Sequence, residues 1–171
     1  MSFYFKKEKY FGIMMEERTV ILSLEKLSPI LNSLLEQGQT VTLQVTGTSM
    51  MPLWMHRRDQ VVLEHCQEGS LKNGDIVLYR RENGQYVLHR IIKLYDRQMS
   101  LCGDAQSKLE KNVSTNAVIA RVVKICRKGK WFSCDHRGYL LYVYLWGIMR
   151  PVRGKVLGIA GRIRSLKKSR K

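Results

Sequence analysis

Acidic residues are nearly absent from the last part of this 171-residue chain. Residues 121–171 hold 15 lysines and arginines but a single acid, Asp135, whereas residues 1–120 hold 15 bases and 13 acids. The net charge of +16 is therefore concentrated in the C-terminal part of the chain. This distribution favours an anionic partner, either membrane lipid or nucleic acid.

Long apolar runs are also lacking. The longest uncharged apolar stretch, Gly138 to Met149, is well short of the roughly 20 residues that a bilayer-spanning helix needs. The aromatic residues near the start are interrupted by the charged residues 6–9, so they form no signal-peptide pattern. We expect a cytoplasmic protein without a transmembrane helix, with peripheral binding to the inner face of the membrane as a further expectation.

The four cysteines include no close pair at metal-ligand spacing. They are scattered at Cys66, Cys102, Cys126 and Cys134. We expect reduced, structural thiols, and neither a metal nor another cofactor.

The chain has the length of one domain and a globular composition, with 44% hydrophobic residues. Ser28 as N-cap and Pro29 at the first helical position predict a short helix that Gly38 ends. Residues 40–46 alternate apolar and polar side chains, which predicts a half-buried strand. Further strands are predicted at residues 60–63, 75–80, 86–94, 99–102, 118–125 and 131–134, with a hairpin turn at Asn83-Gly84.

Two side chains in this β-rich body have the chemistry of a nucleophile and a base. Ser49 follows the alternating strand at a predicted sharp turn, and His89 lies within the strand at 86–94. A serine hydroxyl is a weak nucleophile unless a base removes its proton, and a neutral histidine suits that task near neutral pH. Taken singly, Ser49 is more often a turn residue, and His89, which shares a face with Val87 and Ile91, is more often a core histidine.

Four motifs in order resemble one family. Residues 47–53 (Gly-Thr-Ser-Met-Met-Pro-Leu) resemble the nucleophile box of type I signal peptidases and of the related self-cleaving repressors. Residues 71–79 (Leu-Lys-Asn-Gly-Asp-Ile-Val-Leu-Tyr) resemble the strand that follows it. Residues 89–91 (His-Arg-Ile) stand where most members have a lysine base, and with the Gly-Asp pair at 103–104 they are similar to the endoplasmic-reticulum and archaeal branch, which uses a Ser-His pair.

The resemblance, from about Val41 to Lys130, implies a mainly β (α+β) fold: a coiled antiparallel sheet of the signal-peptidase type, flanked by a short N-terminal helix and basic C-terminal helices. Three segments are predicted. Residues 1–39 form a lead-in with a short helix, residues 40–134 form the catalytic β-domain, and residues 135–171 form a basic amphipathic helical tail.

The resemblance also implies roles for four residues. Ser49 would be the nucleophile, His89 the general base, and Asp104 the carboxylate that orients the imidazole. A second acid occurs in that branch six positions later, here Glu110, and we rank Asp104 above it. The backbone N–H of Ser49 and that of a neighbour would meet the oxyanion, each contributing on the order of 3 kcal/mol.

The sequence departs from the family pattern at several positions. Gly47 stands where some members have a serine that donates to the oxyanion. Arg58-Asp59 replaces a Gly-Asp pair, and Ala105-Gln106 replaces two asparagines. The membrane anchor usual in signal peptidases is not expected here, which leaves the substrate open.

The tail has three interpretations: a solvated basic segment, a nucleic-acid contact, or an interfacial helix on anionic lipid, which we favour over nucleic acid. Tyr139 to Met149 could instead cover the sheet as a packed helix. The bases assigned to the lipid contact are Arg150, Arg153, Lys155, Arg162 and Arg164.

The predicted function is a serine endopeptidase that cuts an extended peptide, such as a leader or signal segment of a precursor, bound beside a strand edge. Three alternatives remain open. A self-cleaving regulator would need a DNA-binding domain, for which residues 1–39 are too short. The second is a basic β-module that binds nucleic acid or membrane, and the third is a catalytically inactive relative. Neither of these two would use Ser49 as a nucleophile.

Overall fold

The computed structural model describes residues 2–6, 20–67, 69–150 and 153, with side chains described from Leu27 onward. The described residues form a mainly antiparallel β structure with two helices and one short 3-10 turn. The strands are β1 (Ser2–Lys6), β2 (Val20–Ser23), β3 (Val41–Gln44), β4 (Gln60–Glu64), β5 (Ile76–Arg80), β6 (Tyr86–Tyr95), β7 (Gln98–Cys102), β8 (Glu110–Ser114), β9 (Val118–Arg127) and β10 (Lys130–Ser133). The helices are α1 (Leu24–Glu36) and α2 (Arg137–Ile148). The expected mainly β fold is confirmed.

All ten strands belong to one sheet, in the order β2-β1-β3-β4-β9-β5-β6-β7-β8, with β10 paired to β9. Strand β9 is central because β4, β5 and β10 all pair with it. Strands β5, β6, β7 and β8 follow one another as antiparallel neighbours. This meander places the strand that carries His89 two strands from the edge strand β8.

The sheet buries an apolar cluster on each face. Alternate residues of one strand face opposite sides, so Leu78 of β5 packs in one cluster and Val77 and Tyr79 in the other. The same alternation in β6 separates Leu88 from Val87 and Ile91. Consequently His89 and Arg90 point to opposite faces.

Helix α1 begins earlier than the sequence predicted. It starts at Leu24, so Pro29 lies inside it rather than at its first position. The apolar face explains the difference, since Leu27, Leu31 and Leu35 are buried at intervals of four residues. The predicted end is confirmed: Gly38 has φ +73° and donates its N–H to Leu35 O.

The strands predicted in the body of the chain occur within one or two residues of their expected bounds, and Asn83-Gly84 joins β5 to β6. Strands β1, β2 and β8 were not predicted. Because β1 pairs with β3, the sheet extends across the boundary placed at residue 39.

The predicted basic helical tail lies mostly outside the described residues. Helix α2 within it is apolar, with Arg137 as its single charged residue. Within the part of the chain that is described, no helix is both long and apolar enough to cross a membrane.

Candidate active site

Ser49 lies against the loop that follows β7. Its carbonyl oxygen accepts a hydrogen bond from the Ala105 N–H at 2.7 Å. A Cβ atom built on Gly103 would lie 2.5 Å from that oxygen and 3.1 Å from Ser49 Cβ. Only glycine therefore allows the two loops to come this close, which gives a physical reason for the Gly-Asp pair at 103–104.

The turn around Ser49 leaves two backbone donors available. Gly47 has φ +91°, and its N–H donates to Nδ1 of His56 at 2.8 Å. Among the described residues, no acceptor is hydrogen-bonded to the N–H of Ser49 or of Met50. Backbone N–H groups without a partner are the kind of donor from which an oxyanion hole is built.

His89 is held on β6 with its Nδ1 atom towards a carboxylate. Nδ1 lies 3.1 Å from Oε1 of Glu110 and 3.3 Å from the Tyr79 hydroxyl. The imidazole is 1% exposed. This burial lowers the pKa of His89 to about 4, although the Glu110 carboxylate acts in the opposite direction. The side chain is therefore a neutral imidazole at physiological pH, as a general base must be.

Glu110 is the first residue of the edge strand β8, and two side chains, Tyr79 and Arg81, hold its carboxylate. Its carboxylate accepts hydrogen bonds from the Tyr79 hydroxyl at 2.7 Å and from Arg81 Nε at 2.9 Å, and it forms an ion pair with Arg81. Partial burial alone would raise the pKa of Glu110, but the hydrogen bonds from Arg81 and Tyr79 outweigh it and lower that pKa. Glu110 is thus an ionised group that contacts the imidazole.

Asp104 lies on the opposite face of the sheet. Its carboxylate forms a bidentate pair with Arg90, with distances of 2.8 and 2.7 Å from the guanidinium nitrogens. Arg90 also donates to the Tyr139 hydroxyl at 3.0 Å. Asp104 acts on His89 only through its charge. The carboxylate in contact with the imidazole is therefore that of Glu110, although the sequence ranking put Asp104 first.

Gly103 lies against Ser49 and directly follows β7. The last residue of β7, Cys102, pairs with Arg90, the neighbour of His89 on β6. No hydrogen bond joins Ser49 to His89 among the residues that the structure describes. In free enzymes the hydrogen bond between nucleophile and base is often long and shortens only when substrate binds.

A cleft of about 460 Å³ lies beside these groups. It is lined by Arg81, Ala105, Gln106, Ser107, Lys108 and Glu110. The cleft thus joins the Glu110 side of the site to the loop that contacts Ser49, and it is large enough for a few residues of a peptide.

Arg153 stabilises the same loop from the C-terminal side. Its guanidinium is buried, 3.3 Å from the Gly103 carbonyl oxygen and 3.2 Å from Cys102 Sγ, and it also donates to the carbonyl of Gln106. Arg153 was assigned to the lipid-facing bases, and its burial removes it from that set. Arg150 is half-buried, and Lys155, Arg162 and Arg164 lie outside the described residues.

Sequence reasoning missed Tyr79 and Arg81 as parts of the site, and it missed Arg90 as the partner of Asp104. A signal for Tyr79 was present, because the alternation in β5 and β6 puts it on the His89 face. Within the described ranges, no three His, Cys, Asp or Glu side chains come together as a metal site needs.

Comparison with known proteins gives one match. The family model described as Peptidase S24-like matches residues 11–123, which include Ser49, His89, Asp104 and Glu110. No curated protein and no solved structure matches the chain.

Proposed function

The chain belongs to the Peptidase S24-like family, and from this premise we propose that it is a serine endopeptidase acting through Ser49, His89 and Glu110. The observation that carries the assignment is the Glu110 carboxylate on Nδ1 of a buried, neutral His89, beside the loop against which Ser49 lies. The family supports peptidase chemistry, and the contacts support these roles.

The reaction follows from the orientation of the imidazole. Because Nδ1 faces Glu110, Nε2 is the nitrogen that takes the proton from Ser49 Oγ. The oxygen then attacks the peptide carbonyl carbon, and the negative charge on the carbonyl oxygen is met by the N–H groups of Ser49 and Met50. His89 next gives the proton to the leaving amine, and the C–N bond breaks to leave an acyl-enzyme.

Water completes the cycle. His89 takes a proton from a water molecule, the resulting hydroxide attacks the ester carbonyl, and the proton returns to Ser49 Oγ as the ester bond breaks. Glu110 stabilises the imidazolium formed in each half of the reaction. Arg81 and Tyr79 act through Glu110 and hold its carboxylate in place.

The proposed substrate is an extended segment of a precursor peptide, such as a leader or signal segment. Among the described strands β8 pairs only with β7, so its other side offers main-chain groups to a peptide, and the cleft beside it offers room for side chains. The Ser-His pair is similar to that of the endoplasmic-reticulum and archaeal signal peptidases.

A fluorophosphonate probe tests the nucleophile without knowledge of the substrate. We expect Ser49 to be labelled covalently and Ser49→Ala to lose labelling. Ser107→Ala is the matched control, because Ser107 also lines the cleft but makes none of the hydrogen bonds found for His89 and Glu110.

Two results would contradict the proposal. One is equal labelling of wild type and Ser49→Ala, and the other is a folded wild-type protein that is not labelled at all, as an inactive relative would behave. The proposal would also be contradicted if wild type and Ser49→Ala cleaved candidate precursors to the same extent.

A further inference from the structure

Helix α2 is apolar on two faces, and only one of them packs on the part of the protein that the structure describes. On the inner face Tyr139 is buried, Tyr142 stacks on Trp146, and Trp146 Nε1 donates to the Asp104 carbonyl oxygen at 3.0 Å. The outer face has five large apolar side chains that are 50% to 66% exposed: Leu140, Leu141, Tyr144, Leu145 and Ile148. Isolated exposed apolar residues are ordinary, but a contiguous row of five along one helix indicates a binding surface.

The charges that flank and follow α2 in the sequence indicate the kind of partner. No charged residue occurs from Gly138 to Met149, and Arg137 and Arg150 flank that stretch. From residue 150 to residue 171 the sequence has nine lysines and arginines, of which Arg153 is buried, and no acid. An apolar helix face that is followed in the sequence by a dense run of bases matches a bilayer with anionic headgroups, whereas nucleic acid would leave the leucines in water.

The length of α2 sets its orientation. Twelve residues extend about 18 Å, while the hydrocarbon layer of a bilayer is about 30 Å thick. The helix is too short to span that layer, so its apolar outer face can be buried in lipid only if it lies along the surface.

We propose that the outer face of α2 docks on a membrane surface that contains anionic lipid. The inner face of the same helix contacts Asp104, next to Gly103 and the Ser49 loop, so docking holds the candidate active site close to the headgroups. The proposal goes beyond the peptidase assignment and does not depend on it, because no catalytic residue contacts the outer face.

Vesicle flotation with the full-length protein tests the proposal. We expect it to float with phosphatidylcholine vesicles that contain phosphatidylglycerol, and to float far less with phosphatidylcholine alone. Leu141→Ser/Tyr144→Ser/Ile148→Ser should lower the partition coefficient by about tenfold or more, since three apolar side chains are lost from the interface. Tyr95→Ser is the matched control, because Tyr95 is 48% exposed on β6 and should not affect binding.

Two further variants separate the causes. Tyr144→Asp changes only the most exposed of the five side chains and serves if the triple variant does not fold, as judged by circular dichroism. Lys155→Gln/Arg162→Gln/Arg164→Gln leaves α2 intact. This variant should bind less to the vesicles that contain phosphatidylglycerol, and its binding to pure phosphatidylcholine vesicles should not change. Ser49→Ala should float like the wild type, so failure of the peptidase assignment would leave this result unchanged.

The proposal is overturned if the wild type does not float, or floats equally with both vesicle types. It is also overturned if the outer-face variants bind as the wild type does. Loss of a dimer in these variants by light scattering, without any change in flotation, would assign the face to a second copy of the chain instead.

Discussion

Glu110 and Asp104 are both carboxylates near His89, but they form hydrogen bonds and ion pairs with different side chains. Glu110 shares a face with the imidazole and is held by Tyr79 and Arg81. Asp104 neutralises Arg90, a buried guanidinium on the other face. Since a buried charge without a partner is costly, Asp104 is committed to that pair. Glu110 is the carboxylate that contacts the imidazole, and the proposed mechanism gives it the orienting role.

The Glu110→Gln variant tests this division. We expect the second-order rate of Ser49 labelling to fall on the order of a hundredfold, because the imidazolium loses its counter-charge. The charge of Glu110 raises the pKa of His89, so the acid limb of the rate profile should move from near pH 4 to lower pH. Labelling rates from acid to neutral pH measure both effects.

Asp96→Asn is the control for this variant, because Asp96 is an exposed carboxylate in the turn after β6. It should label at the wild-type rate. Wild-type labelling by Glu110→Gln, together with slow labelling by a folded Asp104→Asn, would give the orienting role to Asp104.

At the scale of the elements, the loop at residues 103–106 is held by contacts with two other parts of the chain. Its Ala105 N–H donates to Ser49 O, its Asp104 N–H contacts Met50 Sδ at 3.4 Å, and its Asp104 carbonyl accepts from Trp146 of α2. The turn with the nucleophile and the C-terminal helix therefore meet at one loop. Its exact backbone path sets the position of Ser49.

The Gly103→Ala substitution tests the importance of that path. The new Cβ would lie 2.5 Å from the Ser49 carbonyl oxygen, so backbone must move at the nucleophile. We expect labelling of Ser49 to slow by about a hundredfold, since a displacement near 1 Å has an effect of that size. The free energy of unfolding should fall by about 1 to 3 kcal/mol, as for other overpacked sites.

Gly147→Ala is the matched substitution on α2, where a Cβ would meet nothing within 4 Å. It should leave the labelling rate unchanged and stabilise the protein by up to about 1 kcal/mol, because alanine favours helix. If both variants label equally fast, the contact between Gly103 and Ser49 is not important for the reaction.

For the whole molecule, the sheet separates two buried polar groups: a neutral imidazole on one face and an ion pair on the other. The pKa of His89 is about 4 in the folded protein and roughly 6.5 in the unfolded chain. Between these values the unfolded chain binds more protons than the folded one. His89 therefore contributes stability near neutral pH that is lost as the pH falls.

Urea unfolding at about pH 7 and about pH 5 measures this contribution, which amounts to about 2 kcal/mol over that interval. We expect the wild type to lose that amount through His89, in addition to the loss from other groups. His89→Gln should show a correspondingly smaller difference between the two pH values. An equal loss in both proteins would mean that His89 is protonated in the folded state.

Much of the fold could be read from local patterns. Alternation of apolar and polar residues located β3, and Asn83-Gly84 located the hairpin between β5 and β6, because both signals depend on residues close in sequence. The polar strand β8 had no such signal, since an edge strand with little burial needs no apolar face. The start of α1 was placed too late because Pro29 was taken as the first helical residue.

The sequence by itself determined the candidate nucleophile and base, since the motifs around Ser49 and His89 are contiguous in the chain. Only the tertiary structure decided which carboxylate contacts His89. The alternation of β6 sends His89 and Arg90 to opposite faces, and the pairing of β8 with β7 brings Glu110 to one of them. The tertiary structure also decided which apolar side chains of α2 are exposed. The helix is apolar all round, and among the described residues packing covers only one of its sides.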